Sequence, residues 1–152
     1  VMPPERVAIK LPHNEQLDLS AVKEEIFNWI LSGKHKNILP IIECETFGNQ
    51  VAIVSEYAPD SSLRDLLQKR GNLTAAEAAL MITGILEGLA HLHGRKIIHR
   101  DLKPENILLA GNVPRLTDFG ISRAIAEGNS TSVILGTQAY MAPESFDGKR
   151  TA

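Results

Sequence analysis

Cysteine is nearly absent from these 152 residues: Cys44 stands alone, so no disulfide can form within the chain. An isolated thiol is more often a small apolar residue than a nucleophile, and the pattern fits a reducing compartment, which makes the cytoplasm the expected location. Charge of one sign is lacking too. Sixteen Lys and Arg against 18 Asp and Glu leave a net charge of -2, and no stretch of Lys and Arg runs continuously. Such a balance provides no field to gather nucleic acid or an acidic membrane surface, so no nucleic-acid partner is expected. No run of apolar residues approaches the length of a bilayer span, and the opening Val-Met-Pro-Pro-Glu-Arg lacks the basic-then-apolar order of a secretory signal. No membrane segment is therefore expected. Repeats, low-complexity tracts and Pro/Gly-rich linkers are missing as well, which leaves no mark of a second independent domain.

What is present is the profile of a globular domain, 43% hydrophobic and 22% charged, able to bury a core. Val7, Ile9 and Leu11 alternate with Ala8 and Lys10, the period of a strand, so Ala8 and Lys10 point the same way. After a loop over Pro12 to Asp18, Val22, Ile26, Trp29 and Ile30 recur at helical spacing, and Gly33 supplies a stop. Two apolar runs, Ile38 to Phe47 and Val51 to Tyr57, flank Gly48-Asn49-Gln50 and predict an antiparallel hairpin. A small helix is expected over Ser61 to Arg70. Thr74 and Glu77 have capping-box spacing and open a long amphipathic helix that ends near Gly94. Further strand-like runs, Ile107 to Leu109 and Arg115 to Thr117, surround a Gly-Asn turn. Strands early and helices late predict an α+β fold in two lobes with a cleft between them.

Charged residues crowd one stretch. His99-Arg100-Asp101-Leu102-Lys103-Pro104-Glu105-Asn106 resembles the catalytic loop of eukaryotic-type serine/threonine protein kinases, and Asp118-Phe119-Gly120 resembles the family's metal-binding motif. Val7-Ala8-Ile9-Lys10 upstream and Gly136 to Glu144 downstream match in the same order. The resemblance covers essentially the whole chain. It implies a two-lobed kinase-like fold, incomplete at both ends, with 1–57 as part of an N-lobe (a β-sheet with one helix) and 58–152 as part of a mainly helical C-lobe. It also implies ATP and Mg²⁺ as cofactors, and a protein or peptide substrate phosphorylated on serine or threonine.

Phosphoryl transfer asks a protein to hold a triphosphate in line with a hydroxyl and to neutralise charge on its oxygens. By the resemblance, Lys10 reaches the phosphates, Ala8 abuts the adenine, and Glu25 is the ion-pair partner of Lys10, with Glu24 the alternative. Ser55-Glu56-Tyr57-Ala58 resembles the hinge whose backbone pairs with adenine, so Glu56, Ala58 and Leu108 join the ATP-site residues, with Ser55 gating a rear pocket. Asp118 and Asn106 are the implied metal ligands, since Mg²⁺ takes oxygen donors and bridges phosphates. Asp101 is the implied base or orienter for the hydroxyl, Lys103 neutralises the transferring phosphate, and Thr137 is expected to bridge the two. His99 and Phe119 are expected to pack rather than react. Arg100 resembles an arginine that receives a phosphate on the following loop, where Ser130, Thr131 and Ser132 are the acceptors for an upstream or trans-autophosphorylating kinase.

Two other functions share these features: a non-catalytic kinase-like binding module and a small-molecule phosphotransferase. Retention of Lys10, Asp101, Asn106 and Asp118 weighs against the first. The stretch from Gly136 to Glu144, which resembles a peptide platform, weighs against the second.

Overall fold

Alternation at the start of the chain makes a strand that is only partly covered. In the computed structural model, which describes residues 6–11, 26–27, 29–48, 50–118 and 138–140, it is β1 (Val7–Lys10). The predicted hairpin forms β2 (Ile41–Phe47) and β3 (Gln50–Glu56), with Gly48 in the left-handed region at φ +60° where a side chain would be disfavoured. The sheet is antiparallel throughout, in the order β1-β3-β2. Being central, β3 buries its Val51 and Ile53 almost completely. The β1–β3 register sets Ala8 opposite Ser55 and Lys10 opposite Ile53.

Two capping boxes start the helices. Ser62, paired reciprocally with Asp65, opens the short helix Leu63–Arg70, and Thr74 with Glu77 opens the long helix Ala75–His93. Each serves backbone N–H groups that the first turn leaves without an intrahelical partner. A second hairpin follows, β4 (Ile107–Ala110) and β5 (Val113–Leu116), turning at Gly111. Antiparallel sheet, separate hairpin and helices make the α+β architecture that the sequence predicts.

The long helix lies close on β5 because it carries glycine where the two meet. A Cβ on Gly84 would stand 2.7 Å from Pro114 Cγ, and one on Gly88 would stand 2.9 Å from both the Asn37 carbonyl and Leu116 Cδ1. Met81 and Leu92 bury on the same helix and join Ile38, Leu39 and Leu116 in the core. Burial of one such aliphatic side chain contributes about 1.5–3 kcal/mol.

The segment leading into β2 is stitched to β5. Leu116 N–H donates to the Asn37 carbonyl, Leu39 N–H donates to the Leu116 carbonyl, and Trp29 Nε1 donates to the Leu39 carbonyl. Asn37, almost fully buried, also donates through Nδ2 to Pro114 O at 2.9 Å. These bonds tie the three-stranded sheet to the hairpin.

The sequence shows no uninterrupted apolar run of bilayer length, yet the 19-residue helix Ala75–His93 is long and apolar enough to cross a membrane by length and composition. Its few charges are diluted among Ala, Gly and Leu, which a search for unbroken runs overlooks. It packs against β5 at Gly84 and Gly88, while Leu80, Ile82 and Leu86 stay exposed.

Candidate active site

The centre of the site is a turn held by its own side chains. Asp101 N–H donates to His99 O at 2.8 Å, and Arg100 between them takes φ +64°, a conformation that costs a long side chain free energy. Pro104 then begins a 3₁₀ turn over Pro104–Asn106, where the missing proline N–H is not needed. This turn brings Asn106 back over Asp101. Asn106 Nδ2 donates to both the Asp101 carbonyl and Asp101 Oδ2, each at 2.8 Å.

Asp101 is 6% exposed, and an ionised carboxylate at that depth requires compensation. It receives this at Oδ2, where Lys103 Nζ approaches to 2.8 Å beside the Asn106 amide. Charge-assisted bonds of this kind are short and strong, and partial exclusion of water strengthens them further. His99, just before the turn, is 2% exposed, and burial pushes its imidazole below the ordinary 6.5. A neutral, enclosed ring is suited to packing.

Asp118 enters from β5. Thr117 N–H donates to Asn106 O at 3.0 Å, so the residue next to Asp118 is bonded to the backbone of Asn106. Asp118 adopts φ +60°, which aspartate tolerates better than most residues. Lys10, at the end of β1, reaches it across 108 residues of sequence: Nζ lies 2.6 Å from Asp118 Oδ1. The sequence suggests Glu25 as the partner of Lys10; Glu25 and Glu24 lie outside the described residues, and the pairing with Asp118 has no signal in local spacing.

The remaining expected residues divide. Ala8 is half-buried opposite the buried Ser55. Leu108 is half-buried and bridges to Ser62, and Ala58 packs against the core. Glu56 commits its side chain to Arg115 Nη1 at 2.8 Å, leaving only its backbone for an adenine role. Arg115 was not singled out by the sequence, although the β4–β5 register places it opposite Leu108. Thr137, Ser130, Thr131, Ser132 and Phe119 lie outside the described residues.

Asn106 and Asp118 present a donor set that suits a hard cation. The Asn106 amide nitrogen is engaged by Asp101, so its amide oxygen is the atom that could serve as a metal donor, and Asp118 has a second carboxylate oxygen beyond the one held by Lys10. Among the described residues there is no group of three or more His, Cys, Asp and Glu that could enclose a metal unaided. One amide and one carboxylate, completed by phosphate oxygens and water, is the kind of site Mg²⁺ occupies.

The family described as protein kinase domain matches residues 4–152. The serine/threonine-protein kinase ste20 of Aspergillus fumigatus is 40% identical over 144 residues, covering 91% of this chain and 17% of that protein. Serine/threonine-protein kinase SIK1 of Rattus norvegicus is 35% identical over 148 residues, covering 95% of this chain and 19% of its own length. The chain thus spans less than a fifth of either relative. Matched along nearly all its length, the chain belongs to the protein kinase domain family.

Proposed function

We propose that the protein carrying this chain transfers the terminal phosphate of ATP to serine or threonine hydroxyls of protein substrates. The observation that carries this reading is the buried Asp101, with Lys103 and Asn106 both bonded to its Oδ2. A solvated surface pair would need neither the burial nor the third residue.

In this reading Asp101 orients the substrate hydroxyl and takes its proton, and the short Lys103 contact holds positive charge beside the transfer path. Asn106 fixes the Asp101 carboxylate, and its amide oxygen together with Asp118 would hold Mg²⁺, which would neutralise charge on the phosphate oxygens. The magnesium–nucleotide complex, when bound, supplies the phosphoryl group and offsets charge on its oxygens. Lys10 then exchanges some of its contact with Asp118 for phosphate oxygens, as a point charge on a flexible stem can do. Ala8, Leu108, Ala58 and the Glu56 backbone contribute to the adenine site, and Glu25 and Thr137 complete the arrangement. Residues 1–57 and 58–152 act as parts of the two lobes. Arg100 receives a phosphate from Ser130, Thr131 or Ser132, and the cytoplasm remains the proposed location.

Support for serine/threonine over other acceptors comes from the relatives, whose names say serine/threonine-protein kinase. The test is transfer of radiolabelled γ-phosphate from ATP to protein by the full-length protein, followed by acid hydrolysis. Labelled phosphoserine or phosphothreonine is the expected product. Label found only on a small metabolite, or absent under conditions where ATP binds, overturns the proposal.

A further inference from the structure

A groove of about 950 Å³ opens beside the candidate site, sharing Glu56 and Tyr57 of the hinge-like stretch with it but lined by none of Lys10, Asp101, Asn106 or Asp118. Four permanent cations line it, Arg6, Lys34, Lys36 and Arg115, against the single carboxylate of Glu56. They come from three parts of the chain. Arg6 precedes Val7, which pairs with Glu56; Lys34 and Lys36 follow the left-handed turn at Gly33; and Arg115 projects from β5. A sequence without any continuous basic run has therefore assembled a basic surface by folding.

Among the described residues, two of these cations are balanced and two are not. Arg115 pairs with Glu56, and Lys36 pairs with Glu87 at 2.8 Å. Arg6 and Lys34 make no ion pair among the described residues, and Arg115 Nε is buried with no hydrogen-bond partner among them. Between the cations the wall is apolar, including Ile41 and the exposed Ile42 and Tyr57.

From this juxtaposition of charge and apolar surface, we infer that the groove docks a short acidic peptide segment bearing one or two apolar side chains, supplied by a partner protein. Charge complementarity selects the carboxylates, and the aliphatic wall selects the apolar residues. A bare phosphate uses none of that wall. A long polyanion is disfavoured because the chain as a whole carries -2, so everything outside the groove is more negative still. The inference does not rest on phosphoryl transfer.

The experiment is fluorescence anisotropy of the full chain with a fluorescein-labelled peptide in which Glu and Asp flank a Leu-Phe pair. Variants are Arg6→Glu with Lys34→Glu, both at exposed positions, and Lys10→Met. The expected result is saturable binding that weakens roughly tenfold or more in the double reversal. It also weakens when Leu-Phe becomes Ser-Ser and is unchanged in Lys10→Met, so failure of the kinase reading leaves this test intact. Unaltered circular dichroism shows that the reversal has not unfolded the chain. Binding indifferent to the reversal overturns the inference. So does competition by inorganic phosphate or a short oligothymidylate at concentrations matching the peptide, or a dimer of the chain that the reversal dissociates.

Discussion

The two halves of the candidate site are built to different standards. Around Asp101, a buried carboxylate, a lysine and an asparagine are close in sequence and hold one another through short bonds in a turn that packs on the core. At Lys10 and Asp118, one ion pair joins an edge strand to the far end of a hairpin, and the lysine side chain is 44% exposed. An exposed pair of that kind contributes about 0–1 kcal/mol to stability, whereas breaking a buried one costs several kcal/mol. The difference teaches that the turn is assembled before any ligand arrives, while the Lys10 side is free to exchange partners. Such a division suits a reaction in which the nucleotide must enter and leave and the hydroxyl must be met by a fixed base.

The strongest way to break the comparison is at the turn. Asp101→Asn in the full-length protein is expected to lower the rate of phosphate transfer by roughly 10²–10⁴-fold while leaving nucleotide affinity nearly unchanged, measured by steady-state kinetics and nucleotide titration. Lys10→Met acts on the other half. It is expected to reduce kcat/KM for ATP on the order of 10²-fold, with little change in Tm because the pair it removes is exposed.

Smaller effects test the scaffold that both halves share. Gly88→Ala gains about 1 kcal/mol of helix propensity but drives a methyl group to 2.9 Å from the Asn37 carbonyl, a backbone atom that cannot rotate away. Overpacking costs about 1–3 kcal/mol, so net destabilisation is expected in chemical denaturation, with the hairpin bearing Asp118 the first to lose protection in hydrogen exchange. The smallest effect concerns His99. Its folded-state imidazole titrates below the ordinary 6.5, so its contribution to stability is present above that value and declines as pH falls through it toward the lower folded value. His99→Phe is expected to flatten the acid-side fall of Tm relative to the parent, read by thermal melts across that window. An unchanged slope would place the acid sensitivity elsewhere.

Much of this was legible in the residues. The Thr74-Glu77 capping box announced the long helix because it rests on a local three-residue spacing, whereas the equivalent Ser62-Asp65 box went unread and the short helix, expected over Ser61 to Arg70, begins at Leu63. Hairpins were legible from alternation and turn residues. The Asp101 turn was visible as a motif because its members are adjacent in sequence. What stayed hidden was long-range: the contact of Lys10 with Asp118, the pairing of Arg115 with Glu56 and the gathering of Arg6, Lys34 and Arg115 around one groove. No local period encodes a contact made across the chain. The long helix was legible from its capping box and period, but the close approach of β5 at Gly84 and Gly88 was not.

The most direct test sets the two halves side by side in the full-length protein, measuring ATP affinity and single-turnover transfer for Asp101→Asn and Lys10→Met. The account predicts that Asp101→Asn binds ATP like the parent and fails to transfer phosphate, whereas Lys10→Met is impaired at the nucleotide itself. Normal transfer by Asp101→Asn, or equal loss of ATP affinity in both variants, would contradict it.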